Sequence, residues 1–383
     1  MIHCLQTATL INGIPKAIHA GGTVTRCSNP LLCLFACLCL LLASLAVPPS
    51  ARTEVPDPAA LRRMADQMTD TGILPDQIPS LSRPSYMPVP DAALSMDDEE
   101  QVFVARFPGA IRIYPQRIMV YHEVVNEEFD GMPYSITYSP LTGGLVGFHG
   151  KAGRFDTSFG VSGSLLNANT VLFDRATGSL WPQLLGMAIK GPLLGAKLQR
   201  FPLIWTTWER AARTYPDAMV LSRSTGFNRR YGTDPYGSYS NPNSYYHFQQ
   251  ITYPVMNRDN RLPPKERIAA LEQDGQYYAL PYTAVRREGA VNFTLGITPM
   301  VAIWDRKLAT VRVFERVAAE KTIEFFMEND KLLDKGTRSE WSHDGEALFG
   351  ILRGATLTPV ASMDCMWFAW SAFFPDVQIL PRQ

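Results

Sequence analysis

The chain has 383 residues, 46% of them hydrophobic and 19% charged, with 36 Lys and Arg balanced by 36 Asp and Glu. That length suffices for one large domain or two average ones, each with a sizeable core. A net charge of zero leaves no electrostatic footprint for nucleic acid, so no nucleic-acid partner is expected.

Leu31 to Val47 is a run of seventeen residues without a charge, preceded by Lys16 and Arg26 and by no acid. At about 1.5 Å per residue it spans roughly 26 Å, marginal for a bilayer core. Residues 1–50 therefore read as a signal peptide or an N-terminal membrane anchor. The protein is expected to be exported across the cytoplasmic membrane, periplasmic if the segment is cut before Val47 and membrane-anchored if it is not. Cys4, Cys27, Cys33, Cys37 and Cys39 all lie in or before this run, which leaves Cys365 alone in the remainder. A single thiol closes no intrachain disulfide and builds no thiolate zinc site, and its neighbours Met363, Met366, Trp367 and Phe368 point to burial.

Residues 51–100 combine an expected helix over Asp57 to Met68, with Asp57 as N-cap, and a run holding Pro75, Pro79, Pro84, Pro88 and Pro90. They read as a tether and lead-in. From residue 101 the texture turns to short β-branched and aromatic runs: Gln101 to Arg106, Ile111 to Tyr114, Tyr134 to Tyr138, Leu145 to Phe148 and Thr170 to Phe173. The clearest helical signals are Thr206 to Thr214 and Met366 to Phe373. The pattern predicts an α+β, β-rich fold of mostly antiparallel strands with a few short helices.

Self-comparison adds organisation. Gly186 to Leu221 aligns without gaps to Gly345 to Leu380, sharing Gly191/Gly350, Trp208/Trp367, Pro216/Pro375 and Asp217/Asp376 among other identities. Upstream, Asp174, Thr177, Ser179 and Trp181 meet Asp334, Thr337, Ser339 and Trp341, and Asn126 meets Asn292. Two tandem pseudo-symmetric repeats, 101–225 and 267–383, are expected to share a core and form one domain. Between them, residues 226–266 are rich in Tyr, Asn and Gly. They read as a cover over the domain, with Tyr231, Tyr236, Tyr239, Tyr245 and Tyr246 as an alternative ligand groove.

A residue held by both copies is expected to be scaffold, and one held by a single copy is the better functional candidate. His122 and Glu123 face Glu288 and Gly289 in the alignment, and Arg117 faces Thr283. His122 is the candidate base or metal ligand, Glu123 its orienting carboxylate and Arg117 an anion holder. Ser139 and Thr142, in Ser139-Pro140-Leu141-Thr142-Gly143, offer hydroxyls to a polar ligand, although a turn explains the same residues. Asn167 and Asn169 are placed on one strand face, able to line the same pocket. Asn126 stands where a second histidine would complete a zinc-protease motif, and no phosphate loop, dinucleotide fingerprint or calcium loop is present. The cofactor and any metal are therefore unknown.

The segments Val120-Tyr121-His122-Glu123, Thr137 to Gly143, Phe159 to Gly163, Asp174 to Trp181, Asp234-Pro235-Tyr236-Gly237 and Leu262 to Arg267 resemble the bacterial family called domain of unknown function 3179. The resemblance covers nearly everything after about residue 70. It implies a family whose activity is not established, with many members carrying cysteine at the position of Ser139 and some a second at Thr142. This chain has neither thiol, which removes thiol redox or soft-metal chemistry from those positions. The sequence thus supports an exported protein holding a small polar ligand or metal ion in the first copy. A hydrolase or lyase with His122 as base and a protein-interaction module are the alternatives.

Overall fold

In the computed structural model, residues 57–273 and 275–381 are described. The apolar run at 31–47, and with it the export expectation, lies outside them. No helix among the described residues is long and apolar enough to cross a membrane.

Asp57 caps helix α1 (Pro58–Ala65) by accepting from the Ala59 amide at 3.1 Å, and α1 buries Leu61 in the core. The first large segment follows as β1 (Gln101–Phe107), β2 (Ala110–Pro115), α2 (Gln116–His122), β3 (Val124–Phe129), β4 (Met132–Ser139), β5 (Gly144–His149), β6 (Phe159–Leu166), β7 (Asn169–Asp174), β8 (Leu203–Thr207), α3 (Trp208–Thr214) and β9 (Met219–Leu221). In the second segment come β10 (Arg267–Gln273), β11 (Gln276–Pro281), α4 (Tyr282–Glu288), β12 (Ala290–Leu295), β13 (Thr298–Asp305), β14 (Thr310–Glu315), β15 (Met363–Met366), α5 (Trp367–Phe373) and β16 (Gln378–Ile379). The fold is β-rich, its ladders nearly all antiparallel and its helices short.

The same pairings occur in both segments. β1 pairs with β2 and β8, and β10 pairs with β11 and β15, all antiparallel. Each set is then extended by a parallel strand, β9 on β2 and β16 on β11. One nine-stranded sheet crosses from the first segment to the second where β5 meets β15, with Leu145 opposite Asp364. A single apolar cluster likewise draws Phe148, Phe159 and Trp181 together with Ile268, Trp367 and Trp370.

Two buried polar devices recur and explain why their residues are shared. The Asp174 carboxylate accepts from the Thr177 amide (2.7 Å), the Thr177 hydroxyl (2.9 Å), the Ser179 amide (3.1 Å) and the Trp181 indole (3.0 Å). Asp334 gathers Thr337, Ser339 and Trp341 in the same way. Asn126 exchanges two hydrogen bonds with the backbone of Phe159, and Asn292 does so with Phe325. Buried polar atoms must find partners: Asp174 and Asp334 close the turn between two paired strands, whereas Asn126 and Asn292 tie strands that share no ladder. Cys365 is buried and unpaired, and burial pushes its thiol well up.

Two helices depart from the strand-dominated expectation. The run Ile118-Met119-Val120-Tyr121 is apolar and partly β-branched, which suits a strand as well as a buried helix. Here the extended Pro115 starts α2, and Ile118, Met119 and His122 are buried on it. α4 starts on Pro281 in the same way.

Candidate functional site

α2 decides where the singled-out residues point. It ends at His122, and Glu123 then takes a left-handed conformation (φ 58°) at the position where α4 is followed by Gly289 (φ 74°). The side chains of Arg117, His122 and Glu123, within seven residues of one another, are thereby sent to three different places.

His122 is fully buried, with Nδ1 2.7 Å from the Pro79 carbonyl and Nε2 2.6 Å from the Tyr231 hydroxyl. A carbonyl only accepts, so Nδ1 carries the proton and Nε2 accepts from Tyr231. The Tyr231 hydroxyl in turn receives Thr225 at 2.5 Å. Burial pushes the imidazole below its ordinary range, so it is neutral at pH 7 with both nitrogens satisfied. No lone pair remains for a base or a metal ion.

Glu123 turns into the sheet. Its Oε2 accepts from Thr170 Oγ1 at 2.6 Å, and burial pushes the carboxyl up to about 7. Ser139 belongs to this cluster, its Oγ lying 3.0 Å from Thr170 Oγ1 and 3.2 Å from the Thr170 amide. Thr142 and Asn169 belong to the neighbouring one. Asn169 Nδ2 donates to Thr142 Oγ1 (3.1 Å) and Gln183 Oε1 (2.9 Å), and Gln183 donates to Thr137 (2.9 Å) and to the Gly144 carbonyl (2.9 Å). Ser139, Thr142 and Asn169 are all fully buried. These hydroxyls and amides serve one another across the β4–β5 turn and β7.

Asn167 does not share a strand face with Asn169. It sits in the turn between β6 and β7 at φ 54°, and its Oδ1 accepts from the Met256 amide at 2.8 Å. The two asparagines separate because a turn interrupts the alternation assumed for an extended strand.

Arg117, also on α2, lines an open cavity. Its Nε lies 2.6 Å from Glu100 Oε1, and Nη2 donates to the Ser95 carbonyl at 2.7 Å. The Glu100 and Arg117 side chains are 11% and 13% exposed, yet Nε and Oε1 meet without the alignment of a hydrogen bond. Burial pushes the Glu100 carboxyl up to about 7, more than the attraction of Arg117 and Arg223 draws it down. Beside this pair opens a cavity of about 190 Å³, lined by Glu100, Gln116, Arg117, Asp234 and Tyr239 among others.

The connecting segment forms the far wall. Asp234 Oδ2 accepts from Gln116 Nε2 (2.8 Å) and from the Tyr246 hydroxyl (2.7 Å), and burial raises the Asp234 carboxyl above its usual range. Tyr239 and Tyr246 stack at 3.8 Å between ring centroids, and Tyr239 lies 3.2 Å from the Tyr138 hydroxyl. The tyrosine-rich segment is a packed cover, and its Asp234 and Tyr239 also face the cavity. Gln116, Glu100 and Asp234 were not singled out from sequence. The Gln116 correspondence to Tyr282 held the signal for one of them, since it is another polar group present in one segment alone. Among the described residues no group of three or more His, Cys, Asp or Glu side chains could hold a metal ion.

A β-rich chain with buried polar clusters and a polar cavity beside the short helix α2 is the class of protein that fold and site define. The chain belongs to the family described as a protein of unknown function, DUF3179, whose model matches residues 75–377. No curated protein and no solved structure matches it.

Proposed function

We propose that this chain is a binding protein that holds a small polar organic ligand in the first-segment cavity, and that it does so after export, in the periplasm or at the membrane surface. The observation that supports the reading is the Glu100–Arg117 pair. Two charged groups have been taken out of water at a cost of several kcal/mol, without aligning with each other as hydrogen-bond partners. A ligand with polar atoms at that wall would complete their hydrogen bonding. Asp97, Glu99, Glu100 and Asp234 against the single Arg117 favour an amine or a polyhydroxylated compound over an anion. A metal ion is the weaker form of the proposal, because compact donor sets bind ions and this cavity spreads its carboxylates.

The hydrolase or lyase alternative drew on His122 as general base, and a neutral, doubly bonded imidazole does not favour it. The test is a thermal-shift panel of diamines, amino acids and sugars on the full chain. A ligand present at a hundredfold above its Kd stabilises by about 2.7 kcal/mol. We expect at least one amine or polyol to raise the melting temperature of the wild type, with Arg117→Ala and Asp234→Asn losing that shift and His122→Phe keeping it. Shifts that survive both cavity substitutions would end the reading.

A further inference from the structure

The corresponding position in the second segment is also hollow, with the opposite charge. α4 repeats α2, β10 repeats β1 and β13 repeats β4, and against them opens a cavity of about 610 Å³. Its walls carry Arg210, Arg267, Arg286 and Arg306 with Tyr282 and Trp304, and no carboxylate lines it. Gln101, Gln116 and Tyr138 of the first segment are here Arg267, Tyr282 and Trp304. In a chain with no net charge, four guanidinium groups around one hollow are a local concentration that the composition does not require.

The four arginines divide into two pairs. Arg267 is tied to Asp364 at 2.8 Å, with its guanidinium 4.0 Å from the Tyr282 ring centroid, and Arg306 pairs with Asp330. Among the described residues neither Arg210 nor Arg286 forms an ion pair. Arg210 Nη1 donates to the carbonyls of Arg306 (2.9 Å) and Lys307 (3.1 Å), which fixes the group while leaving its charge uncompensated. Arg286 is exposed and leans on Trp304, 5.8 Å from guanidinium carbon to ring centroid. Trp304 and Tyr282 stand edge to face at 6.0 Å, giving the hollow an aromatic wall.

We infer that this cavity binds a small multivalent oxyanion, a phosphate ester or polycarboxylate, through Arg210 and Arg286, with the Asp364-paired Arg267 as a fixed part of the wall. Guanidinium groups present planar, paired N–H donors that match carboxylate and phosphate oxygens, and two uncompensated ones lining the same cavity from α3 and α4 suit an anion with two separated charges. The aromatic wall accommodates an apolar portion of such a ligand. This site shares no residue with the first-segment cavity and stands or falls independently of it.

The experiment is a calorimetric titration of the full chain with inorganic pyrophosphate and with citrate, at low and at raised salt. We expect binding that weakens with salt, as charge-driven association does. Arg286→Glu should weaken it about tenfold or more, Arg210→Gln should weaken it too, and the distant surface variant Arg62→Glu should leave it unchanged. Arg286 is exposed, so its replacement should not disturb folding, which an unchanged melting temperature verifies. Failure of the wild type to bind either anion would overturn the inference, as would equal binding by Arg286→Glu or an equal loss in Arg62→Glu.

Discussion

Glu123 concentrates the cost of the first-segment arrangement in one residue. A side chain is placed where the second segment uses glycine, and a carboxyl is buried where only Thr170 donates to it. In the unfolded chain this carboxyl ionises near 4.3, whereas in the fold it keeps its proton to about 7. Its stabilising contribution is therefore complete below the unfolded value and is lost as the pH rises from there through about 7, an amount of roughly 4 kcal/mol. Glu100 and Glu127, pushed by burial to about 7 and about 8, act in the same direction. Glu123→Gln keeps a partner for Thr170 and removes the titration. Urea unfolding at pH 5 and pH 8 should show wild-type stability falling more steeply than that of the variant. Identical slopes would mean that Glu123 is ionised in the fold throughout. At this scale the sequence made residue types legible and side-chain directions illegible. His122 and Glu123 are neighbours by number, but the left-handed turn after α2 parts them.

At the level of elements, the residues shared by both segments are those that close loops. Asp174 satisfies four donors, so Asp174→Ala should leave several of them buried without partners and cost about 3 kcal/mol or more in denaturant unfolding. Asp334→Ala should behave alike, and a loss below about 1 kcal/mol at either site would show that water replaces the carboxylate. Gly289 has φ 74°, and a Cβ there would strike the Met327 side chain. Gly289→Ala should therefore destabilise by about 1–3 kcal/mol, contrary to the usual gain from replacing glycine. The strands β1, β2, β4, β5 and β7, together with α1, α3 and α5, lie within a few residues of their expected limits; the strands are marked by β-branched and aromatic runs, and α1 by its Asp57 cap. α2 and α4 were not legible. Each is seven residues long and enters from proline, and the apolar run through α2 serves strand or helix until its packing partners are known.

For the whole molecule, the consequence of a sheet and a core that run through both segments is joint stability. β15 is hydrogen-bonded to β10 and meets β5, and the cluster around Trp181, Trp367 and Trp370 draws from both sides. The full chain should unfold in one calorimetric transition, and residues 57–266 expressed alone should fail to give dispersed NMR signals. Two separated transitions would show segments stable in their own right. The extent of the β-rich region, with its mostly antiparallel strands and short helices, was readable from residue 101 onward. The cavities were not, because each is assembled from residues far apart in number, as Glu100, Gln116 and Asp234 show.

The central claim is that the polar hollow beside α2 receives a small molecule. Native mass spectrometry of the chain purified from the cells that make it addresses this directly. A discrete small-molecule adduct should accompany the wild type and disappear in both Arg117→Ala and Asp234→Asn while the fold is retained. A wild type that carries no adduct and takes up none of the amines or polyols supplied to it, or an adduct that persists in both variants, would contradict the account.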